Sequence, residues 1–331
     1  MNFSELFIEK AIQKNNTPKD FSVLSLELFN YQYANNPVYR KYAEMLGRKP
    51  EVVKTVEQIP FLPIEFFKTQ KIITGNDSVT HVFESSGTTT STPSKHYVTN
   101  VSVYEKSFSK AFNFFYGNPQ EYCLPALLPS YIERGNSSLV YMMNDLIKES
   151  KHPYSSFYLD NIEELVWRLK ELNGKKIKTI LIGVTYALLD LAEKHPMDLS
   201  NISIMETGGM KGKRKELVRE ELHRILCEAF NVKTIHSEYG MTELFSQAYS
   251  KGDGRFFCPP WMKVMIRDVN DPLVMQGYNT TGGINTIDLA NVNSCAFIAT
   301  QDLGKIYSDG SFEVLGRFDN SDIRGCNLLV G

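Results

Sequence analysis

Thr179-Ile180-Leu181-Ile182, Ile202-Ser203-Ile204-Met205-Glu206 and Val232-Lys233-Thr234-Ile235-His236 decide the fold of this 331-residue chain. Each reads as a short strand rich in β-branched residues, and helical spacing fills the gaps between them. Asn161 to Leu172 is predicted helical, with Asn161 at its start and Gly174 just past its end. Thr185 to Glu193 and Lys213 to Phe230 are the next two helices. Strand and helix in alternation imply a parallel sheet covered by helices on both faces.

Upstream, Phe3, Leu6, Phe7, Ala11 and Ile12 recur at helical spacing, and Asp20 to Tyr33 and Val38 to Leu46 read the same way. Ile59 to Phe67 is apolar but broken by prolines, so an ordered loop is expected there. His81 to Glu84 and His96 to Val98 read as strands flanking a hydroxyl-rich loop. Ser102 and Glu105 match a capping box for a helix to Phe115. Tyr122 to Leu128 reads as a strand and Ser138 to Ile147 as a helix. Downstream of Phe245 the pattern changes to short strands: Val264 to Val269, Gly283 to Leu289, Cys295 to Thr300, Gly304 to Tyr307 and Phe312 to Leu315. Asp309-Gly310 is a hairpin signal within this β-rich part.

Composition sets the outer bounds. Hydrophobic residues make up 42% of the chain and the formal charge is -2, which argues against nucleic acid or an anionic membrane as the main partner. No apolar run reaches the roughly 20 residues of a membrane span. Met1 to Lys14 carries acidic residues and no continuous apolar stretch, so no signal peptide is expected. The five cysteines, Cys123, Cys227, Cys258, Cys295 and Cys326, form no C-x-x-C pair. A disulfide framework or zinc site is not expected, and a reducing cytoplasm fits.

Four segments carry chemistry. Ser85-Ser86-Gly87-Thr88-Thr89-Thr90-Ser91-Thr92-Pro93-Ser94-Lys95 offers small donors, little bulk and a closing cation, which suits a polyphosphate. It lacks Walker A spacing, and a plain solvated loop is the alternative. Ser237-Glu238-Tyr239-Gly240-Met241-Thr242-Glu243 follows a strand, where ligands of open α/β sheets sit. Tyr239 could stack on a purine and Glu243 could hold Mg²⁺ beside phosphate; a strand-to-helix turn is the plainer reading. Thr207-Gly208-Gly209 would let backbone approach a flat ligand, or is simply a turn. Asp302 could accept hydrogen bonds from ribose, and Arg317 in Gly316-Arg317-Phe318-Asp319 could approach ribose or phosphate, unless both are ordinary hairpin charges.

In this order and spacing the segments resemble the core motifs of the adenylate-forming superfamily, which includes acyl-CoA synthetases, peptide-synthetase adenylation domains and luciferases. Leu127-Leu128-Pro129-Ser130-Tyr131-Ile132-Glu133-Arg134, Ser137-Ser138-Leu139-Val140-Tyr141-Met142 and the closing Ile323-Arg324-Gly325-Cys326 look more closely like the acyl-protein synthetase family, which includes the synthetase subunit of the bacterial bioluminescence fatty-acid reductase complex. The resemblance implies an α/β fold: a large adenylate-forming domain of mostly parallel sheets flanked by helices, plus a small β subdomain. The boundaries expected are 1–245 for the α/β core with its helical N-terminal segment, and 246–331 for the β-rich part with its short tail.

The resemblance also implies a reaction in two halves. A fatty or other carboxylate attacks the α-phosphate of ATP, and a cysteine thiolate then takes the acyl group. Thr88, Thr89, Lys95, Glu243 and Mg²⁺ are the expected charge neutralisers, with Ser85, Ser86, Gly87, Thr90, Gly208, Gly209, Tyr239, Gly240, Thr242, Asp302 and Arg317 around the nucleotide. Cys326 is the implied acyl acceptor. Arg324 two residues away favours its thiolate, whereas the other four cysteines lie in or beside apolar segments. Phe108, Phe112, Phe114, Phe115, Met142, Met143 and Tyr186 are possible walls for the acyl chain. An acyl-reductase or acyl-carrier protein is the expected partner. Adenylating enzymes of this kind also carry a mobile C-terminal domain with a lysine for the attacking carboxylate; no counterpart is expected after Asp319 here, so either Lys95 or a partner stands in, or adenylation is slow, or the chain is a degenerate binder. Two alternatives stay open: an aryl- or acyl-CoA ligase relative, and a non-catalytic nucleotide-binding subunit of a reductase complex.

Overall fold

A computed structural model describes residues 3–14, 17–85, 92–128, 136–159, 161–208 and 217–318. By its contacts the chain divides into two units, Met1–Asp77 with Pro260–Gly331, and Ser78–Pro259. The boundary expected at 245/246 differs from this division. The N-terminal helices group with strands more than two hundred residues downstream, a pairing that local patterning does not encode.

In the first unit, α1 (Phe3–Lys14), α2 (Pro18–Asn35) and α3 (Pro37–Met45) follow one another closely. Thr17 and Asp20 form a capping box at α2, and the Asn36 side chain accepts from the Tyr39 amide to start α3. Prolines at the first turns of both helices need no amide there. β1 (Leu62–Pro63) is a two-residue strand inside the segment expected to be loop, and α4 (Phe66–Thr69) follows it. β9 (Met262–Arg267), β10 (Thr281–Asp288), β11 (Phe297–Ile306) and β12 (Phe312–Arg317) complete a sheet ordered β1-β11-β10-β9, with β12 also on β11. The two runs expected at 295–300 and 304–307 form one strand, β11, whose pairing with β12 shifts register at Leu303/Gly304 without ending. Gly310, at φ +83°, closes the expected hairpin, where Asp309 accepts from the Ser311 amide and hydroxyl. The buried Gln32 ties α2 to this sheet: it donates to the Asn291 and Val292 carbonyls and accepts from the Ala296 amide.

The second unit is built on the strands expected at 179–182 and 202–206 and on the segment following 232. β4 (Ala126–Leu127), β5 (Ile180–Val184), β6 (Ser203–Thr207) and β7 (His236–Tyr239) are parallel, in that order, and β8 (Ala248–Ser250) adds antiparallel to β7. All five residues of β5 are buried, as a parallel strand covered on both faces requires. β2 (His81–Glu84) and β3 (Lys95–Val98) make a separate antiparallel ribbon. The helices are α5 (Val101–Tyr116), α6 (Ser138–Ser150), α7 (Ile162–Gly174), α8 (Thr185–Lys194) and α9 (Arg219–Phe230).

Several boundaries differ from expectation for physical reasons. Asn100, not Ser102, caps α5, and Glu105 is engaged with the Tyr141 hydroxyl at 2.5 Å. Prolines shorten the run at 122–128 to β4 and two isolated bridges, Cys123 to Thr179 and Ala126 to Phe157. α9 starts at Arg219 rather than 213, since Val218 is extended; 209–216 lie outside the described residues. The last parallel strand occupies 236–239 instead of 232–236. Asn231 ends α9 in a left-handed cap, the chain spends 232–235 turning back, and the strand then runs through Ser237 and Glu238.

Candidate active site

The parallel strands of the second unit release three backbone turns on one edge of the sheet: Thr185 after β5, Gly208 after β6 and Gly240 after β7. Gly208 has φ +68°, a conformation that costs glycine little. Its carbonyl accepts from the Thr185 hydroxyl at 2.8 Å, so the end of β6 is tied to the start of α8.

Two buried carboxylates lie just beneath this edge. Side chains alternate along a strand, so Glu206 and Ser237 share one face while Thr207 and Glu238 share the other. Glu206 meets Arg219 of α9 in an ion pair, with His223 3.6 Å away and Thr185 donating at 3.3 Å. Burial alone would push this carboxyl up; the His223 hydrogen bond and the Arg219 charge outweigh it and hold the group below its ordinary range. Glu238 faces the other way, accepts from Thr207 Oγ1 at 2.5 Å, and has no ion-pair partner among the described residues. Burial pushes its carboxyl up to about 7, against the pull of the Thr207 hydrogen bond, and the neighbouring Glu206 charge adds to the rise. One carboxylate oxygen of Glu238 occupies the space where a side chain on Gly240 would begin, and Gln247 Cγ lies 3.3 Å from the same point.

The residues expected from sequence are distributed as follows. Gly208, Tyr239 and Gly240 come together at the ends of β6 and β7, with Tyr239 buried and edge-on to Phe256 at 5.9 Å. Thr242 and the buried Glu243 continue that turn, and the Thr242 carbonyl accepts from His96 Nδ1 of β3 at 2.8 Å. His96 stacks on Phe245 at 4.7 Å, which joins the ribbon to the turn. Ser85 closes the base of the ribbon: its Oγ accepts from the Ser94 amide. Lys95 stands opposite Glu84 in register and pairs with it at 3.4 Å, about half exposed. Ser86, Gly87, Thr88, Thr89, Thr90, Gly209 and Cys326 lie outside the described residues. Asp302 and Arg317 belong to the other unit. They face each other across β11 and β12 and meet at 3.2 Å, Asp302 buried and Arg317 exposed.

Of the expected acyl-chain walls, Phe108, Phe112, Met142, Met143 and Tyr186 are buried. Phe115 packs on Tyr249 at 5.1 Å. Phe114 is 60% exposed and lines no interior space. A cavity of about 420 Å³ flanks α7, lined in part by Tyr154, Tyr158, Asn161 and Arg168. None of the expected site residues among those described lines it, and Arg168 already stacks on Tyr154 at 3.8 Å and Trp167 at 4.4 Å. The sequence reading missed Glu206, Arg219, His223, His96 and Glu238 as parts of the site. The available signal was Glu206 near the end of the otherwise largely apolar β6; the polar β7 offered none of that kind.

Residues 10–331 match the family described as acyl-protein synthetase, LuxE. The chain belongs to that family. It is therefore a ligase that activates an acyl group as its adenylate at the expense of ATP. A curated relative, the long-chain-fatty-acid--luciferin-component ligase of Vibrio harveyi, is 25% identical, with 91% of this chain and 85% of the relative covered. Solved structures share the fold. A 2-hydroxyisobutyryl-CoA ligase in its postadenylation state with 2-HIB-AMP has a TM-score of 0.70 at 14% identity, covering 94% of this chain and 70% of that one. ATP-bound MatB from Rhodopseudomonas palustris has a TM-score of 0.55 at 16% identity, covering 73% and 49%, so the synthetase spans about half the length of that protein.

Proposed function

We propose that this synthetase activates a long-chain fatty acid as acyl-AMP and transfers the acyl group to its own Cys326, from which a reductase or carrier protein in the cytoplasm receives it. The family match, which runs through Cys326, carries the reading. In the first half a carboxylate oxygen attacks the α-phosphorus, the bond to the bridging oxygen breaks, and pyrophosphate leaves. In the second, the cysteine thiolate attacks the acyl carbon, the carbon–oxygen bond to AMP breaks, and a thioester remains. No helix among the described residues is long and apolar enough to cross a membrane.

The residues at the strand ends supply position and charge. Tyr239 and the Gly208 and Gly240 turns would flank the nucleoside, with Ser85, Thr242 and Lys95 toward the phosphates; Ser86 to Thr90, and Asp302 and Arg317 of the other unit, join the nucleotide set by resemblance alone. Among the described residues no group of three or more His, Cys, Asp or Glu could hold a metal alone. One buried carboxylate, Glu243, suits Mg²⁺, which takes one or two protein carboxylates and completes its shell with substrate phosphate and water. Mg²⁺ bound there would neutralise phosphate charge.

Burial disfavours three of the other four cysteines as acceptor, Cys258 being only partly buried. Burial pushes the Cys123 and Cys295 thiols up to about 12, and burial followed by the Glu228 charge raises Cys227. A thiol held protonated at neutral pH is a poor nucleophile. Incubation with ATP, Mg²⁺ and radiolabelled fatty acid should leave hydroxylamine-sensitive label on the protein. Cys326→Ser should abolish that label and retain pyrophosphate release. Label retained in the variant contradicts the acceptor; turnover that needs CoA and labels no protein contradicts the acyl-protein product.

A further inference from the structure

We propose that Glu238 is a positioning residue that must carry its proton for the Tyr239-Gly240 turn to hold ATP. The inference rests on the adenylation reading above and deepens it. Glu238 belongs to no part of the nucleotide set expected from sequence, and its geometry, not its motif position, points to this role. Thr207 Oγ1 donates to Oε2, which fixes the carboxyl group and joins the ends of β6 and β7. Its Oε1 fills the place of the missing side chain on Gly240. Gln247 presses on the same place from across the β7–β8 pairing, where Tyr239 stands opposite Ala248. Gln247 is buried, and its Oε1 has no hydrogen-bond partner among the described residues. A neutral carboxyl has one O–H to donate. With Oε2 accepting from Thr207, that proton belongs on Oε1, the oxygen beside Gly240.

The surroundings favour the neutral form. Glu238 is in electrostatic reach of Tyr104 and Tyr116 of α5 and Tyr249 of β8, and of Glu206 in β6. His236, two residues earlier on the same strand, accepts from or donates to the Tyr116 hydroxyl at 3.2 Å. Burial, then the Lys251 charge, lowers this histidine to about 4, so it is neutral near pH 7. The three tyrosines are all pushed up, chiefly by burial, and Glu206 stays ionised beside Arg219. Of these groups only Glu238 changes charge near neutrality. An ionised Glu238 places a charge without a counter-ion against the floor of the turn, and the turn must shift to hydrate it.

The test measures the KM for ATP in acid-dependent ATP–pyrophosphate exchange between about pH 6 and pH 8.5, with ATP binding followed by calorimetry over the same range. The wild-type KM should rise above a bend near neutrality, by up to about tenfold per pH unit. Glu238→Gln keeps the shape but cannot ionise, and should remove the bend. Thr207→Val removes a donor that favours the ionised form, and should move the bend to higher pH. Titration of ATP itself is common to all three proteins and drops out of the comparison. Thermal melting confirms that the variants fold. A bend of equal position in wild type and Glu238→Gln overturns the proposal, as does a bend unmoved by Thr207→Val. Absence of exchange in the wild type at every pH contradicts adenylation instead, and the calorimetric profiles then decide the role of Glu238.

Discussion

Glu206 and Glu238 sit on adjacent strands, one residue out of step, and that single step sends them to opposite faces of the sheet. One finds Arg219 and His223; the other finds tyrosines and a threonine hydroxyl. The consequence for stability has a definite sign. A carboxyl raised from near 4.5 to about 7 on folding contributes stability that is complete below the unfolded value and is lost as pH rises through the folded one. The loss between those limits is on the order of 3 kcal/mol. Melting temperatures of wild type and Glu238→Gln should therefore diverge between about pH 5 and pH 7 in favour of the variant, with a constant gap above. Parallel curves would contradict the assigned proton. Little of this was legible in the sequence. Ser237-Glu238 reads there only as the polar start of the segment ending in Glu243, since nothing local tells which side of a sheet a residue meets or whether a cation waits across it.

At the scale of elements, the helices and strands were largely legible, because amphipathic spacing and caps are local. Asn161 caps the start of α7 as expected, although the helix runs through Gly174 instead of stopping before it, and the hairpin at Asp309-Gly310 forms where it was expected. The last parallel strand was displaced because its functional end is polar, and an apolar search stops short of it. What joins the elements was not legible. Gln32 binds three backbone groups some 260 positions away, at 2.9, 3.0 and 2.9 Å. Replacing it with leucine leaves those groups buried and unpaired. Gln32→Leu should lower unfolding stability by about 3 kcal/mol, read as a fall in the denaturation midpoint. A change below about 0.5 kcal/mol would show that water or a local shift replaces the stitch.

For the whole molecule, family and reaction class were legible from motif order, whereas the division into units was not. The N-terminal helices and the C-terminal strands form one unit across an inserted α/β sheet, and only long-range contacts reveal this. The sheet brings the Gly208 and Tyr239-Gly240 turns to one edge, and His96 ties the following turn to the ribbon that carries Lys95. That edge is where the account places the nucleotide. The most direct measurement is ATP–pyrophosphate exchange on the purified chain with Mg²⁺ and a series of fatty acids. Exchange should require the acid, rise with acyl length toward the long-chain members and continue in Cys326→Ser. A folded chain that shows no acid-dependent exchange with any member of the series, with or without a reductase partner, would contradict it.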